Sequence, residues 1–382
     1  MTTIITILKV LPLASLVIGV VFIGHYFIFH SLVVFFGFSD PGLQGSLLII
    51  LILLSISFIL ASILAHYRED FIARAFYLLS AGWLALSWNL TVGFGFVWLI
   101  IGLSLIFKFK LALNWVAGTV MGLATLFSIY SFWTTFHPRV RKVIVKINNL
   151  PEAWKNKIVV QLSDIHLGLV HRDNFLKYVV NKANTLKPEL VFITGDLFDG
   201  MEGRLEEFVK PLNYLRSKQG IFFITGNHEV YLGTGRALSA VKETSMKVLD
   251  NEAVNLNGLQ IAGVSYPEMA GSDAHFGKDI KHKPLVEVLN NFIPSLPTIL
   301  LRHVPTAIKE AKDAHIALQL SGHTHVGQLW PFSLITRLAF GRYHRGLTVE
   351  GDFTQYTSTG VGTWGPPMRT GNYPEIVAIT LT

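Results

Sequence analysis

The first third of the chain is an almost unbroken series of apolar residues. Between residues 10 and 67 the sole charged side chain is Asp40, which separates two apolar stretches at about 11–36 and 43–64. Each is longer than the roughly 20 residues that a membrane-spanning helix needs. A secretory signal peptide would have a shorter apolar region with no further spans after it, so we interpret both stretches as transmembrane helices.

The apolar pattern resumes after a short polar stretch at residues 68–74. Residues 75–107 and 111–136 contain no charged side chain. A single helix over 75–107 would be about 50 Å long, which fits either one tilted span or two short ones. The sequence therefore predicts a transmembrane helical domain over residues 1–137, with four or five spans.

The distribution of basic residues favours four spans. With the N-terminus inside, four spans put seven basic residues on the cytoplasmic side and only Lys108 and Lys110 on the other, whereas five spans divide them almost evenly. Cytoplasmic loops normally hold the excess of Lys and Arg. We therefore expect a multi-pass protein of the inner cell membrane with its soluble part in the cytoplasm. The seven residues are Lys9, Arg68, Arg74, Arg139, Arg141, Lys142 and Lys146.

From residue 152 onward the pattern changes to short apolar runs that end in Asp, Gly, Asn or His. Such runs are typical of buried strands, and the segments 174–186 and 204–218 between them are typical of helices. In α/β folds the carboxyl ends of the strands open onto one crevice, so these polar residues can converge. We expect a linker at 138–151 and an α/β domain over 152–382. The runs are 158–162, 190–193, 221–224, 298–301 and 316–320.

Composition limits the chemistry that this domain can perform. The chain carries a net charge of +7 with a pI near 9.4, but it has no Lys/Arg-rich block. A membrane surface with anionic headgroups accounts for the modest positive excess, so we expect the lipid bilayer as a partner and no nucleic acid. The chain contains no Cys, which excludes disulfides, thiolate metal sites and a cysteine nucleophile. Any metal must be held by nitrogen and oxygen ligands.

The polar residues at the strand ends provide seven such ligands, enough for two divalent cations if one carboxylate bridges them. Asp196 suits the bridge because it lies between the other groups in chain order and can give one oxygen to each cation. Paired cations can generate a hydroxide at neutral pH and stabilise both the attacking and the leaving oxygen at phosphorus. His228 is not needed as a ligand and is free to stabilise charge or protonate the leaving oxygen. The seven are Asp164, His166, Asp196, Asn227, His303, His323 and His325.

The order of these residues resembles the signature of the calcineurin-like metallophosphoesterases. Its five blocks are Asp164-Ile165-His166, Gly195-Asp196, Gly226-Asn227-His228-Glu229, His303 and Gly322-His323-Thr324-His325, and the resemblance covers roughly residues 155–382. It implies a two-sheet sandwich flanked by helices. It also implies that one metal is held by Asp164, His166, Asp196 and His325, and the other by Asp196, Asn227, His303 and His323. Manganese, iron and zinc all suit this ligand set.

Further segments are similar to a bacterial, membrane-associated branch of this family. They are Leu318-Gln319-Leu320-Ser321, Gly327-Gln328-Leu329-Trp330-Pro331 and Gly360-Val361-Gly362-Thr363-Trp364-Gly365. That branch is related to phosphodiesterases that act on UDP-diacylglucosamine. The resemblance therefore implies hydrolysis of a phosphodiester or pyrophosphate bond in a phosphorylated lipid or nucleotide-lipid substrate.

Two other functions are compatible with the sequence. In the first, the substrate is a soluble nucleotide or phosphoprotein and the spans are only an anchor. In the second, the spans act as a transporter or sensor and the soluble domain is a degenerate, regulatory one. The spans contain no paired charges and no internal repeat, and we expect His25 and His30 to be neutral, which disfavours transport.

The sequence also suggests roles for four residues outside the ligand set. We expect Asp199 to support a ligand from behind. We expect Trp364 to be a packed aromatic residue, and Arg369 and His171 to lie on the solvated surface.

Overall fold

The computed structural model describes residues 2–68, 70–200, 204–267, 285–289 and 292–382. The chain divides into two compact units. The first comprises Met1–Trp133 with two short later segments, and the second comprises the remainder.

The first unit is built from long apolar helices, as the sequence predicts. In the described part of the chain, four helices are long and apolar enough to cross a membrane. Residues 75–107 lie in one continuous helix. Asp40 and Asp70 cap the second and third helices by accepting hydrogen bonds from Leu43 N and Ala73 N at 2.7 and 2.9 Å, which explains these two acids beside the apolar segments. The helices are α1 Thr2–Phe36, α2 Pro41–Tyr67, α3 Phe71–Phe107 and α4 Leu113–Thr135.

Small and weakly polar residues mediate helix packing within this unit. A Cβ atom on Gly93 of α3 would lie only 2.9 Å from a methyl group of Val120 on α4, so glycine permits this close approach. His25 accepts a hydrogen bond at Nε2 from Trp83 Nε1 at 2.9 Å, and its Nδ1 lies 2.8 Å from Val21 O. Both ring nitrogens therefore have partners in the neutral form, as expected for a structural histidine.

The second unit contains twelve described strands and seven described helices. The strands are β1 Arg139–Val145, β2 Ile158–Leu162, β3 Leu190–Thr194, β4 Ile221–Ile224, β5 Lys247–Val248, β6 Glu252–Leu256, β7 Leu259–Val264, β8 Thr298–Arg302, β9 Leu318–Ser321, β10 Gly346–Glu350, β11 Phe353–Thr357 and β12 Glu375–Leu381. The helices are α5 Asp173–Thr185, α6 Leu205–Val209, α7 Asn227–Leu232, α8 Thr234–Lys242, α9 Leu285–Val288, α10 Ile308–Asp313 and α11 Ser333–Phe340.

The strands form two mixed, six-stranded sheets. The first has the order β1-β12-β2-β3-β4-β5, and the second has the order β10-β11-β9-β8-β7-β6. Pairing is mostly parallel, with β12 antiparallel to β2, β10 to β11, and β6 to β7. This confirms the fold class predicted from the sequence, an α/β sandwich of two sheets that follows an apolar helical region.

Side chains on the two faces of the first sheet pack into two separate hydrophobic cores. Val159 and Phe192 of the first sheet pack with Ile299 and Leu320 of the second. Their neighbours on the opposite face of the first sheet, including Val160, pack against α5, α6 and α8. Because both faces are covered, β3 and β4 are apolar up to their last residues, and the polar residues follow where the strands end.

Two details differ from the sequence-based expectations. The segment 138–151 was expected to be a linker, but Arg139–Val145 form strand β1, which pairs in parallel with the C-terminal strand β12. The paired residues are more than two hundred positions apart in the sequence, so no local pattern predicts this strand pairing. The helix expected over 204–218 is shorter, because α6 passes into a 3-10 turn at Lys210–Tyr214, where Pro211 lacks the backbone N–H that an α-helix needs.

Candidate metal centre

Each proposed ligand follows the end of a strand in the second unit. Asp164 and His166 follow β2, Asp196 follows β3, and Asn227 and His228 begin α7 after β4. In the other sheet, His303 follows β8, and the pair His323 and His325 follows β9. Beneath them, Gln161 on β2 donates hydrogen bonds to Thr194 Oγ1 and Ser321 O, both at 2.9 Å. This buried amide joins the two sheets at the level where the polar residues emerge.

The structure brings all seven proposed ligands and His228 into one cluster. Among the described residues, three groups each place their ligand atoms within 4.8 Å of one another: Asp164, His166 and His325; His166, Asp196 and His228; and Asp196, His303 and His323. Asp196 and His166 each belong to two of these groups, and the bridging position of Asp196 stays a prediction. His228 also lies within reach of a cation on geometric grounds.

Individual distances connect the groups into a continuous set of polar atoms. His303 Nε2 lies 3.1 Å from Asp196 Oδ2 and 3.2 Å from Asn227 Oδ1. The same Asn227 oxygen is 2.9 Å from His323 Nδ1. At the other end, His166 Nε2 is 3.0 Å from His325 Nε2 and 3.9 Å from Asp196 Oδ2.

The backbone at the site is unusual. Five of the seven proposed ligands have a positive φ, with Asp164 at 55°, His166 at 53°, Asp196 at 53°, His323 at 68° and His325 at 44°. Asp and His tolerate this left-handed conformation better than most side chains, but each instance costs on the order of 1–3 kcal/mol. The surrounding hydrogen bonds hold the conformation, since Asp164 N donates to Gly195 O and His166 N donates to Asp196 O, both at 3.1 Å.

Glycines at the site permit the close approach of separate loops. Gly195 has a φ of 90°, but Gly226 has an ordinary φ of −105° and is needed for space. A Cβ on Gly226 would lie 2.6 Å from Asp196 N and 2.9 Å from Asp196 Cγ. A Cβ on Gly322 would collide with Ser163 and with the carboxylate of Asp164.

Groups behind the cluster orient its imidazole rings. His303 Nδ1 lies 2.8 Å from Thr194 O and His228 Nδ1 lies 3.0 Å from Asp199 O. A carbonyl can only accept, so both rings carry a proton on Nδ1 and direct Nε2 into the site. The Asp199 carboxylate lies 3.5 Å from His166 Nδ1, the position expected of a group that supports this ring.

Arg369 is fully buried beneath the cluster, contrary to the surface position expected for it. Its guanidinium donates hydrogen bonds to His325 Nδ1 at 2.9 Å, Thr359 O at 2.6 Å and Asn372 Oδ1 at 2.7 Å. A neutral His325 ring that accepts at Nδ1 carries its proton on Nε2, so a cation would bind at Nε2 only after that proton moved to Nδ1 and this contact with Arg369 was lost. The sequence offered no signal for this contact, because it joins two loops 44 positions apart.

Charges in the cluster are strongly coupled. Burial would raise the pKa of Asp196, but His303, His228 and His166 around it hold this pKa well below its usual range. Burial likewise opposes the charged form of His303, yet the Asp196 and Asp164 carboxylates raise its pKa to about 10. Burial and the neighbouring His303 lower the pKa of His323 to about 3. An anionic carboxylate therefore lies at the centre of a group of imidazoles.

Glu229 has a structural role that its block in the sequence does not reveal. Its fully buried carboxylate accepts hydrogen bonds from Gly226 N at 2.6 Å, Asp196 N at 2.9 Å and Phe198 N at 3.1 Å. It thus connects the loop after β3 to the start of α7. Burial and the nearby Asp196 raise the pKa of Glu229 to about 7.

The cluster opens into a cavity of about 500 Å³. Tyr231, Gln328 and Trp364 line it in addition to the polar cluster. Trp364 was expected to be packed, but 59% of its surface is exposed. Gln328 fixes its backbone by donating to Trp364 O at 2.8 Å and accepting from Trp364 N at 3.0 Å. His171, expected at the surface, is buried and accepts from Thr363 N at 3.0 Å.

The donor set fits divalent cations. It combines imidazole nitrogens with carboxylate and amide oxygens, which is the mixture that manganese, iron and zinc accept. The proposed ligands are largely buried, and hydrogen bonds already fix several of them in place. Buried polar groups that converge in this way without apolar neighbours between them are otherwise costly, which favours a metal centre over a purely structural network.

Two mixed sheets with carboxylates and histidines gathered at their strand ends define a metallophosphoesterase. The family model described as calcineurin-like phosphoesterase matches residues 158–327. A Campylobacter jejuni protein named an uncharacterized metallophosphoesterase is 32% identical over 332 residues, which cover 84% of this chain and 86% of the relative. The chain belongs to the calcineurin-like phosphoesterase family.

Other relatives include proteins that are named for membrane spans. A Bos taurus protein named "Transmembrane protein with metallophosphoesterase domain" is 34% identical over 261 residues, covering 64% of this chain and 57% of the relative. An uncharacterized metallophosphoesterase of Helicobacter pylori is 37% identical over 245 residues, covering 62% of this chain and 64% of the relative. The chain therefore matches less than two thirds of the length of these two relatives.

Proposed function

We propose that this protein is a membrane-anchored, metal-dependent phosphoesterase that hydrolyses a phosphodiester or pyrophosphate bond in a lipid-linked substrate such as UDP-diacylglucosamine. The observation that carries the proposal is the convergence of Asp164, Asp196, Asn227 and four histidines in one cluster, part of which lines an open cavity. Residues 1–137 are the membrane domain in this proposal, and residues 152–382 are the catalytic domain on the cytoplasmic side of the inner membrane.

The seven ligands would hold two divalent cations, with Asp196 between them. Asp164, His166 and His325 would complete one position, and Asn227, His303 and His323 the other. Bound cations would supply an activated water nucleophile at neutral pH and neutralise charge that develops on the phosphoryl oxygens. The chain's own contribution is to keep the ligands within tenths of an ångström of their positions through the buried network described above.

His228 is the catalytic side chain in this proposal. Its Nδ1–H is held by Asp199 O, and Nε2 is therefore the atom that faces the substrate. In its protonated form the ring would donate a proton from Nε2 to the leaving oxygen. Burial lowers the pKa of His228 while the Asp196 carboxylate opposes this, so the proton is readily released once the carboxylate's charge is shared with a cation.

The apolar helices support a substrate that resides in the membrane. The same chain carries the cavity and four helices suited to spanning a bilayer, which confines the cavity to the region near the lipid surface. A lipid-linked phosphodiester would be concentrated in that layer, whereas a soluble nucleotide or phosphoprotein gains nothing from it.

The full-length protein in lipid nanodiscs tests this function directly. We expect manganese-dependent hydrolysis of UDP-diacylglucosamine and of bis-p-nitrophenyl phosphate. The Asp196→Ala variant should lose both activities, and Asp313→Ala, the same substitution at an exposed site on α10, should lose neither. Inactivity on both substrates in protein that contains metal would refute the enzymatic proposal. Equal kcat/KM values for UDP-diacylglucosamine and for an analogue without acyl chains would indicate a soluble substrate instead.

A further inference from the structure

The segment that follows the histidine block carries an exposed apolar face beside the metal centre. Helix α11 exposes Leu334, Ile335 and Leu338, which are 58%, 60% and 87% accessible. These positions lie on one side of the helix, since residues three and four apart share a face. Trp330, just before the helix, is 45% accessible. Large apolar side chains that are exposed together usually mark an interaction surface.

The opposite side of α11 faces the metal centre. The ring of Phe340 lies 6.1 Å from the ring of His323 in an edge-on arrangement. The loop that follows is held close to the site as well, because Thr324 Oγ1 donates to His344 O at 2.8 Å. The apolar face of α11 therefore lies on the side of this helix opposite to the contact with His323.

The charged side chains of the segment that carries this face are basic. Residues 322–349 include Arg337, Arg342 and Arg345 and contain no Asp or Glu. Arg342 is paired with Glu350 at 2.6 Å, but Arg337 on α11 and Arg345, five residues after the helix, lie at exposed positions. A short helix with Leu and Ile on one side, basic residues at its borders and a tryptophan nearby has the composition of an interfacial membrane helix.

We propose that α11 with Trp330, Arg337 and Arg345 docks on an anionic bilayer surface, so that a lipid-linked substrate enters the cavity without leaving the membrane. The complementary charge of anionic headgroups selects this occupant over a neutral surface or a second copy of the chain, which would bring like charges together. The same chain carries four helices that are long and apolar enough to cross a membrane, which favours a bilayer as the partner of this domain. The route for the substrate rests on the proposed function, but the docking itself does not.

A fluorescence experiment on the full-length protein tests the docking without any need for activity. The chain has no Cys, so Leu338→Cys labelled with an environment-sensitive fluorophore reports on one position. Tyr214→Cys, at a residue that is 72% accessible, is the matched control. In nanodiscs that contain phosphatidylglycerol, we expect the label at 338 to shift to the blue and to be quenched by spin-labelled lipid. The label at 214 should do neither.

The arginines provide a second arm. Arg337→Gln combined with Arg345→Gln should weaken docking by about 30-fold, because two basic residues no longer attract the anionic surface. Quenching at 338 should then fall to the level found in pure phosphatidylcholine. The proposal is overturned if the label at 338 behaves like the label at 214. It is also overturned if the blue shift resists lipid quenching and instead grows with the number of chains per disc, which would indicate a second copy.

Activity separates this inference from the proposed function. Leu334→Ser with Leu338→Ser changes exposed residues outside the proposed metal centre. We expect kcat/KM for UDP-diacylglucosamine in anionic nanodiscs to fall at least about tenfold through a higher KM, and hydrolysis of bis-p-nitrophenyl phosphate to stay unchanged. Equal activity of variant and wild type on both substrates would overturn the substrate route, whereas inactivity of the wild type on both would refute the proposed function alone.

Discussion

Replacement of Gly226 by Ala should disable the site by displacing Asp196. The added Cβ would lie 2.6 Å from Asp196 N, whereas ordinary contact begins at 3.4 Å. The two backbones must therefore separate by about 0.8 Å or more, which exceeds the tolerance of about 0.5 Å for a preorganised site. Neither can relax easily, because Glu229 binds the N–H groups of both residues. A misplacement of about 1 Å costs on the order of 100-fold in rate, so we expect a loss of that size in kcat/KM.

The assay is hydrolysis of bis-p-nitrophenyl phosphate by the full-length protein at saturating manganese, together with metal analysis of the purified variant. Overpacking should also destabilise the protein by about 1–3 kcal/mol, seen as a lower melting temperature. Gly235→Ala is the matched control, since a Cβ at that position in α8 meets no atom within 4 Å. Retention of activity within about threefold by Gly226→Ala, at full metal content, would refute the argument that this approach of loops sets the geometry of Asp196.

Three further predictions concern the network around the cluster. Asp196→Ala should lose both cations and not one, as measured by inductively coupled plasma mass spectrometry; retention of one per chain would refute the bridging role. Arg369→Gln should strengthen metal affinity by about 10- to 100-fold, because a glutamine oxygen can accept from His325 Nδ1–H and leave Nε2 unprotonated, measured by titration, whereas Arg369→Lys, which is still a donor, should stay near the wild type; unchanged affinity would limit this residue to a structural role. In metal-free protein, the raised pKa of Glu229 contributes stability that is present below its ordinary value of 4.5 and lost as pH rises through about 7. The melting temperature of Glu229→Gln should therefore rise relative to that of the wild type as the pH increases from 4.5 to about 7. A difference between the two melting temperatures that stays constant over this pH range would refute the assignment to Glu229.

Features that depend on local pattern could be predicted from the sequence. Long uncharged stretches predict membrane-spanning helices, because few charged side chains are tolerated in a bilayer. Short apolar runs followed by polar residues predict buried strands. The Asp, Asn and His residues at the strand ends predict metal binding. For this reason Asp164, Asp196, Asn227 and the histidines could be proposed together, and the structure does bring them together.

Only the tertiary structure decided the features that depend on contacts between distant residues. The pairing of β1 with β12, the burial of Arg369 beneath His325 and the two hydrogen bonds to Glu229 from Asp196 N and Phe198 N each join segments that no pattern relates. The left-handed backbone conformation of five proposed ligands also depends on the tertiary structure. Hydrogen bonds from neighbouring loops offset the free-energy cost of this conformation. Sequence periodicity records which side chains are buried. It does not record which partner each one meets, because that is fixed by the packing of the two sheets.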